Sequence, residues 1–327
     1  MRILLIKTSS LGDVIHNLPV ATDLRRRFAD AVIDWAVEES FADLPRLHPA
    51  VRKIIPVAVR RWRKALLSPA TWSEIGAFRR AASADSYDAI LDTQGLLKSA
   101  LIATWARGPR LGYAADSARE PLAARFYDRA FTVPKSLHAV ERNRRLAAAA
   151  LGHSIDDLPL DYGIAVPPQA GTGGTPFRPA WLPAGDYAVL LTATSRADKE
   201  WPEEDWQALG QALIVMGMRC VLPAGSAVER ERAGRIAAAL GRAVAPPPLG
   251  LGELAGLMAG ARIVVGVDTG LTHLAAALER PTVALFSASD PRLTGVLAGA
   301  RAVNLGGIGQ PPGAAAVLAA CTHLLAA

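Results

Sequence analysis

From residue 164 to residue 186 the chain reads IAVPPQAGTGGTPFRPAWLPAGD, and proline and glycine at that density exclude a long helix or a central strand. The natural reading is an exposed connector that divides the chain in two. On each side of it the same pattern recurs. Before the connector, the β-type runs ILLIK (3–7), VIDWAVEE (32–39), VRKIIPV (51–57), YDAILD (87–92) and AFTVP (130–134) alternate with helical stretches. After it come YAVLLT (187–192), RCVLPA (219–224), RIVVGVD (262–268) and TVALFS (282–287). Apolar strands separated by helices pair in parallel, with helices covering both faces of the sheet. The expected fold class is therefore α/β: a first domain over 1–165, a linker over 166–185 and a second domain over 186–327. The last helix is a candidate to pack back on the first domain. In such sheets ligands bind beyond the carboxyl ends of the strands, so two facing domains would line a shared cleft with those loops.

With 327 residues there is enough chain for two cores. A composition 51% hydrophobic and 20% charged rules out disorder, collagen and disulfide scaffolds. The opening MRILLIKTSS reads as a buried strand and not a secretion signal, because Lys7 interrupts its short apolar run. No apolar stretch approaches the ~20 residues of a membrane span, and the expected location is cytoplasmic. Cys220 and Cys321 show neither pairing nor metal-ligand spacing and read as small core residues. Charge is unevenly divided. Residues 1–166 hold 24 basic and 18 acidic groups and residues 167–327 hold 12 of each, so the whole excess of +6 lies in the first half. Between Arg46 and Lys64 there are basic residues and no acid, which suits that half to an anionic partner.

Three turns could carry chemistry. The first strand runs into KTSSLGDVIH, which offers backbone amides, the Ser9 and Ser10 hydroxyls and Asp13, with a helix expected to start near Asp13. Position alone leaves Asp13 equally a helix cap and a general base. In VGVDTGLTHLAAA, Asp268 ends a strand and Thr269 and Gly270 form a turn whose helix start suits a phosphate; an ordinary strand-to-helix turn, with His273 packed, is the commoner outcome. In TATSRADKEWPEEDW, Lys199 stands before the positive end of a helix, a conflict unless an anion shares the site. VAVRRWRKALL mixes Arg60, Arg61, Arg63 and Lys64 with Trp62 and suits phosphates or a headgroup layer, though a solvated face is the usual fate of such runs. Asp92, Gln94, Lys98, Arg119 and Glu120 lie near expected loop ends and read as structural.

No Asp-x-Asp pair suited to a metal, His-Glu-x-x-His or Cys/His cluster occurs, so no metal is expected. No Gly-x-Ser-x-Gly elbow supports a serine hydrolase. The Gly-x-Gly-x-x-Gly fingerprint of a Rossmann oxidoreductase is missing, as is a P-loop.

Taken together, KTSSLGDVIHNLPV, VAVRRWRKA, YDAILDTQGLLKSA, AREPLAARFYDR, HAVERNR, TSRADKEWPEEDW and VDTGLTHLAAALERP resemble, in order and over nearly the whole chain, the bacterial lipopolysaccharide heptosyltransferases of glycosyltransferase family 9. The resemblance implies the GT-B fold, two Rossmann-like domains with parallel sheets facing a central cleft. It also implies transfer of L-glycero-D-manno-heptose, with inversion, from ADP-heptose to the Kdo of Kdo2-lipid A. By the same resemblance Asp13 is the base and Lys199 serves the departing diphosphate. The donor would meet Ser10, Gly12, Thr194, Ser195, Lys199, Glu229 (at the ribose), Leu249 (at the adenine), Asp268, Thr269, Gly270 and His273. Arg60, Arg61, Arg63 and Arg119 would meet the acceptor. No cofactor, metal or nucleic acid is implied, and the enzyme is expected to be a monomer in peripheral contact with the anionic inner-membrane surface. Two rivals stay open: transfer to a later core sugar, and a non-catalytic module binding anionic lipid or nucleic acid through the basic run.

Overall fold

The computed structural model describes residues 1–166, 177–182 and 184–326. Of the expected linker, residues 167–176 and 183 lie outside the described residues. The chain divides into two compact units, Met1–Ala165 and Val166–Ala327.

In the first unit six strands form one sheet: β1 (Arg2–Ile6), β2 (Val32–Glu38), β3 (Val51–Val57), β4 (Ala89–Asp92), β5 (Arg110–Tyr113) and β6 (Arg129–Phe131). All pairs are parallel, in the order β3-β2-β1-β4-β5-β6. Ile3 to Ile6 of β1 are buried on both faces, which is why the strand reads as an unbroken apolar run. β5 was not expected from the sequence. Its RLGY is short and carries Gly112, where an added Cβ would sit 2.4 Å from the Tyr127 ring. A glycine that makes room for a neighbouring ring also erases the strand signal. The helix expected near Asp13 is instead a short turn of helix, Leu11–Ile15, followed by Leu18–Arg27 with Pro19 in its first turn.

The second unit repeats the plan with β7 (Tyr187–Leu191), β8 (Arg219–Val221), β9 (Ala243–Val244), β10 (Ile263–Val267), β11 (Thr282–Phe286) and β12 (Ala302–Gly306). The parallel order is β12-β11-β10-β7-β8-β9. The two edge strands, β9 and β12, escaped sequence reading: one has two residues, and the other is only half-buried and lacks a continuous apolar run. The closing helix Ala314–Ala326 turns Val317, Cys321 and Leu324 into this unit's core. Cys220 lies in the same core, and burial pushes both thiols up to about 12.

The strand order locates the places where ligands can be held. In an open parallel sheet, the loops after the two strands at which the order reverses diverge and leave a crevice. That point lies after β1 and β4 in the first unit and after β7 and β10 in the second.

Candidate functional site

In the first unit the loop after β1 is stitched to the loop after β4. Gln94 Oε1 accepts from the Thr8 amide and hydroxyl, both at 2.7 Å, and its Nε2 donates to the Ser9 carbonyl at 2.9 Å. Lys98 Nζ donates to Ser9 Oγ at 2.8 Å. Behind Gln94 the chain turns through Gly95 at φ 66°, a conformation glycine adopts without strain, with Asp92 accepting from the Gln94 and Gly95 amides. Asp92 also accepts from the Tyr127 hydroxyl at 2.7 Å, and Glu120 accepts from the Leu97 amide at 2.6 Å at the start of helix Leu97–Ala103. Asp92, Gln94 and Glu120 therefore hold the loops, as the sequence reading had them.

The N-cap of the short helix is Ser10 and not Asp13, which occupies the third position and accepts from the Ser10 amide at 3.0 Å as the acid of a capping box. Asp13 does more than that. Arg119, 106 residues away, grips the same carboxylate at 2.7 and 3.2 Å. Burial by itself would raise the Asp13 carboxyl, but Lys7 and Arg119 outweigh it and hold the group well below the usual carboxylate range. Lys7 is buried, donates to the Thr93 carbonyl at 2.8 Å and to Asn143 Oδ1 at 3.2 Å, and burial lowers it to about 8. Tyr113 donates to Asn143 Oδ1 at 3.2 Å, and the Arg142 guanidinium lies 5.0 Å over the Tyr113 ring. Asn143 is set in place by its helix, Ala139–Leu151, which a buried Arg144–Asp23 pair at 2.6 Å pins to helix Leu18–Arg27. Together Lys7, Asp13, Tyr113, Arg119, Arg142 and Asn143 line a cavity of about 20 Å³, room for roughly one water.

The basic segment divides. Arg61 is neutralised by Glu39 at 2.9 Å and Glu74 at 2.8 Å, so it clamps helix Val59–Trp62 to its neighbours. Trp62 is buried, donates to Glu74 at 2.8 Å and packs against Phe78, which removes it from any headgroup layer. Among the described residues Arg60 and Arg63 form no ion pair; Arg60 lies 5.1 Å over the Phe41 ring. Burial depresses Lys98, and the charges of Arg60 and Arg63 depress it further, so this cationic group reaches the Ser9 side of the Asp13 turn.

In the second unit Lys199, on the turn Ala197–Lys199 after β7, donates to Asp268 Oδ2 at 2.6 Å. The anion that a cation needs there is thus Asp268, standing one residue beyond β10. Ser289 donates to the same oxygen, and His273 Nε2 lies 3.8 Å from Oδ1. Burial would raise Asp268; hydrogen bonds from His273, Lys199 and Ser289 instead hold it well below the usual range. Thr194 donates to the Asp268 carbonyl at 3.2 Å, and Ser195 beside it is exposed. Thr269 is the extended N-cap of helix Gly270–Ala277, with the helix amides opening beside the Lys199–Asp268 pair. Glu229 is engaged locally: it closes a capping box by accepting from the Gly225 and Ser226 amides, both at 2.9 Å. Leu249 is half-buried ahead of helix Leu251–Ala259.

The structure thus gathers Ser10, Gly12, Asp13 and Arg119 at one crevice and Thr194, Lys199, Asp268, Thr269, Gly270 and His273 at another. Lys7, Tyr113, Arg142, Asn143 and Ser289 were missed. A usable signal existed only for Lys7, one of six lysines against thirty arginines and placed at the end of an apolar strand. Among the described residues no three His, Cys, Asp or Glu side chains group to hold a metal ion, and no helix is long and apolar enough to cross a membrane.

Comparison with known proteins places these crevices in a context. Residues 75–314 match the family described as glycosyltransferase family 9 (heptosyltransferase). The chain is similar to lipopolysaccharide heptosyltransferase 1 of Escherichia coli K12, 46% identical over 296 residues that make up 90% of each chain. Its structure is similar to the E. coli heptosyltransferase WaaC with ADP, at TM-score 0.89 and 42% identity over 99% of this chain and 100% of that one. It is also similar to the same enzyme with ADP-2-deoxy-2-fluoro heptose, at TM-score 0.82 and 43% identity over 94% of each. The two six-stranded Rossmann-like units are those of the GT-B fold.

Proposed function

This chain belongs to glycosyltransferase family 9, the heptosyltransferases, and from that premise we propose that it moves L-glycero-D-manno-heptose from ADP-heptose to the Kdo of Kdo2-lipid A. The reaction is an inverting, metal-independent step of lipopolysaccharide inner-core assembly, catalysed by a monomer on the cytoplasmic face of the inner membrane. The observation that carries this reading is the pair of crevices at the two switch points, one with a carboxylate between cations and one with a lysine beside helix amides.

In the second unit the donor diphosphate competes with Asp268 for Lys199 and faces the amides that open at Thr269 and Gly270. Thr194, Ser195 and His273 border the same place, while Glu229 and Leu249 supply the ribose and adenine contacts. As the anomeric carbon–oxygen bond to the diphosphate breaks, the charge that develops on ADP falls to Lys199 and those amides, and no divalent ion is needed. On the opposite face of that carbon the acceptor hydroxyl oxygen forms the new bond, and its proton passes to an Asp13 carboxylate oxygen.

A carboxylate held low by Lys7 and Arg119 is a poor base at rest. Arginine forks match carboxylates, and Kdo carries one. Acceptor binding draws Arg119 from Asp13 to the sugar, raising the basicity of Asp13 where the hydroxyl arrives. Arg60 and Arg63 hold further acceptor charge, and Arg61 remains a clamp.

The test is a panel of nucleotide sugars assayed for ADP release with Kdo2-lipid A present and absent, with and without EDTA. Release with ADP-heptose and Kdo2-lipid A alone, unaffected by the chelator, is the expected result. Loss of turnover in EDTA with recovery on magnesium would overturn the metal-independent step.

A further inference from the structure

From Arg60 to Arg80 the chain holds six basic residues and one acid, Glu74, which is already paired with Arg61 and the Trp62 indole. The same segment contains apolar side chains of two kinds. Trp62 and Phe78 are buried, whereas Leu66, Leu67 and Trp72 are 53%, 99% and 61% exposed. Trp72 Nε1 donates to the Leu66 carbonyl at 2.8 Å, which ties the indole to the loop and satisfies its one donor, leaving an apolar ring facing outward. Along helix Pro69–Ala82, Trp72, Gly76 and Arg80 follow one another at four-residue spacing, with Arg79 three residues after Gly76 on the same outward face and its guanidinium 5.8 Å over the Trp105 ring. Arg80 turns back along that face, its guanidinium 3.4 Å from where a Gly76 Cβ would stand. Arg63 and Lys64, both exposed, precede the loop.

Single exposed leucines need no explanation. Three large apolar side chains joined at one tip, flanked by cations and free of unpaired acid, have the composition of surfaces that rest on anionic bilayers: aromatic and aliphatic groups enter the acyl boundary and Lys and Arg meet phosphates. A second copy of this chain would oppose cations to cations, which disfavours self-association. We propose that this tip, with Leu66, Leu67 and Trp72 inserted and Lys64, Arg79 and Arg80 at the headgroups, is the surface by which the enzyme sits on an anionic phospholipid bilayer. The proposal rests on the lipid-linked acceptor proposed above. Arg60 and Arg63, whose charges act on Lys98 beside the Asp13 turn, join the tip to the acceptor crevice along the same stretch of chain.

The experiment is flotation of the whole protein with vesicles of phosphatidylglycerol and phosphatidylethanolamine, and with phosphatidylcholine alone. It compares the parent with Leu66→Ser/Leu67→Ser/Trp72→Ser and with Lys64→Gln/Arg80→Gln. The parent should float with the anionic vesicles only, and less at high salt. Each variant should bind them about tenfold more weakly, the size of effect lost with a few interfacial side chains. Both variants should keep ADP affinity and turn over a fully deacylated, water-soluble acceptor within about twofold of the parent, which shows that they are folded and that the crevices are intact. A triple-serine variant that floats like the parent, or a parent that ignores anionic vesicles, overturns the proposal. So does a parent dimer that the serines dissociate while vesicle binding stays unchanged. A parent that floats as expected yet transfers nothing to the soluble acceptor supports the surface and counts against the catalytic reading instead.

Discussion

The two units share one strand order and place a carboxylate and a cation at the same topological point, yet the balance of charge there is reversed in emphasis. In the first unit one carboxylate, Asp13, stands against Lys7 and Arg119, with Arg142 nearby. In the second a single lysine faces Asp268, with Ser289 and His273 sharing the acid. The first unit also carries the chain's entire positive excess, and the second is neutral. One scaffold thus presents two different fields because the loops beyond the strands, and not the sheets, carry the charges. A crevice richer in cations suits an anionic acceptor, and one balanced pair beside helix amides suits a diphosphate that must be held and then released.

The largest expected break in this comparison is Asp13→Ala. Transfer should fall about 100-fold to 10,000-fold, as for loss of a general base, while ADP-heptose affinity stays within a few fold. Single-turnover rates beside equilibrium donor binding give both numbers, and near-normal turnover would leave Asp13 as the acid of a capping box. Next is Lys199→Ala, for which transfer should drop about 100-fold with weakened donor binding, the scale of losing one charge-bearing donor to the departing group. The same change leaves Asp268 partly buried without its main cation. The double variant Lys199→Ala/Asp268→Asn should therefore melt at a higher temperature than the single one. Arg119→Gln should act on the acceptor alone, raising its KM about tenfold with the donor KM unchanged. A shifted donor constant would reverse the assignment of the two units.

A pH profile sharpens the contrast further. Lys7, lowered to about 8, is an ammonium below that pH and helps to hold Asp13 low; as pH rises through 8 it loses its charge, Asp13 becomes the stronger base and turnover should rise. Stability moves the same way. The unfolded lysine titrates near 10.5, so between 8 and 10.5 the unfolded chain holds the extra proton and Lys7 contributes a rise in stability with pH. Lys7→Met should flatten both trends, and an unchanged alkaline limb would detach Lys7 from the reaction. The smallest effect is expected at the clamp: Arg61→Gln should lower Tm slightly and leave the acceptor KM alone, whereas Arg60→Gln/Arg63→Gln should raise that KM a few fold and weaken its salt dependence.

The central strands and the loops after them were legible because burial on both faces imposes a local pattern: four consecutive apolar residues in β1, and four within the five residues of β10, announce themselves without knowledge of their neighbours. Asp268 stood out for the same reason, as the polar residue directly beyond such a run, whereas Asp13 stood out by its small-residue turn after β1 and Lys199 by its place before a helix start after β7. Edge strands and Gly112 were not, since a half-buried strand, or one that yields to a neighbour's ring, leaves no period to read. Trp62 shows the limit most directly. Its flanking arginines suggested a surface, but only the packing of Phe78 and the carboxylate of Glu74 decide that it is core while Trp72, ten residues on, is outside.

By itself, then, the sequence determined the two α/β units, their unequal charge and the loops where chemistry can lie, all of which follow from local periodicity and composition. Only the tertiary structure decided that Arg119 meets Asp13 across 106 residues, that Lys7 and Asn143 stand behind that carboxylate, and that Asp268 answers Lys199. Strand order brings distant loops together, and an ion pair depends on the distance between two groups in space, which no local pattern of side chains records.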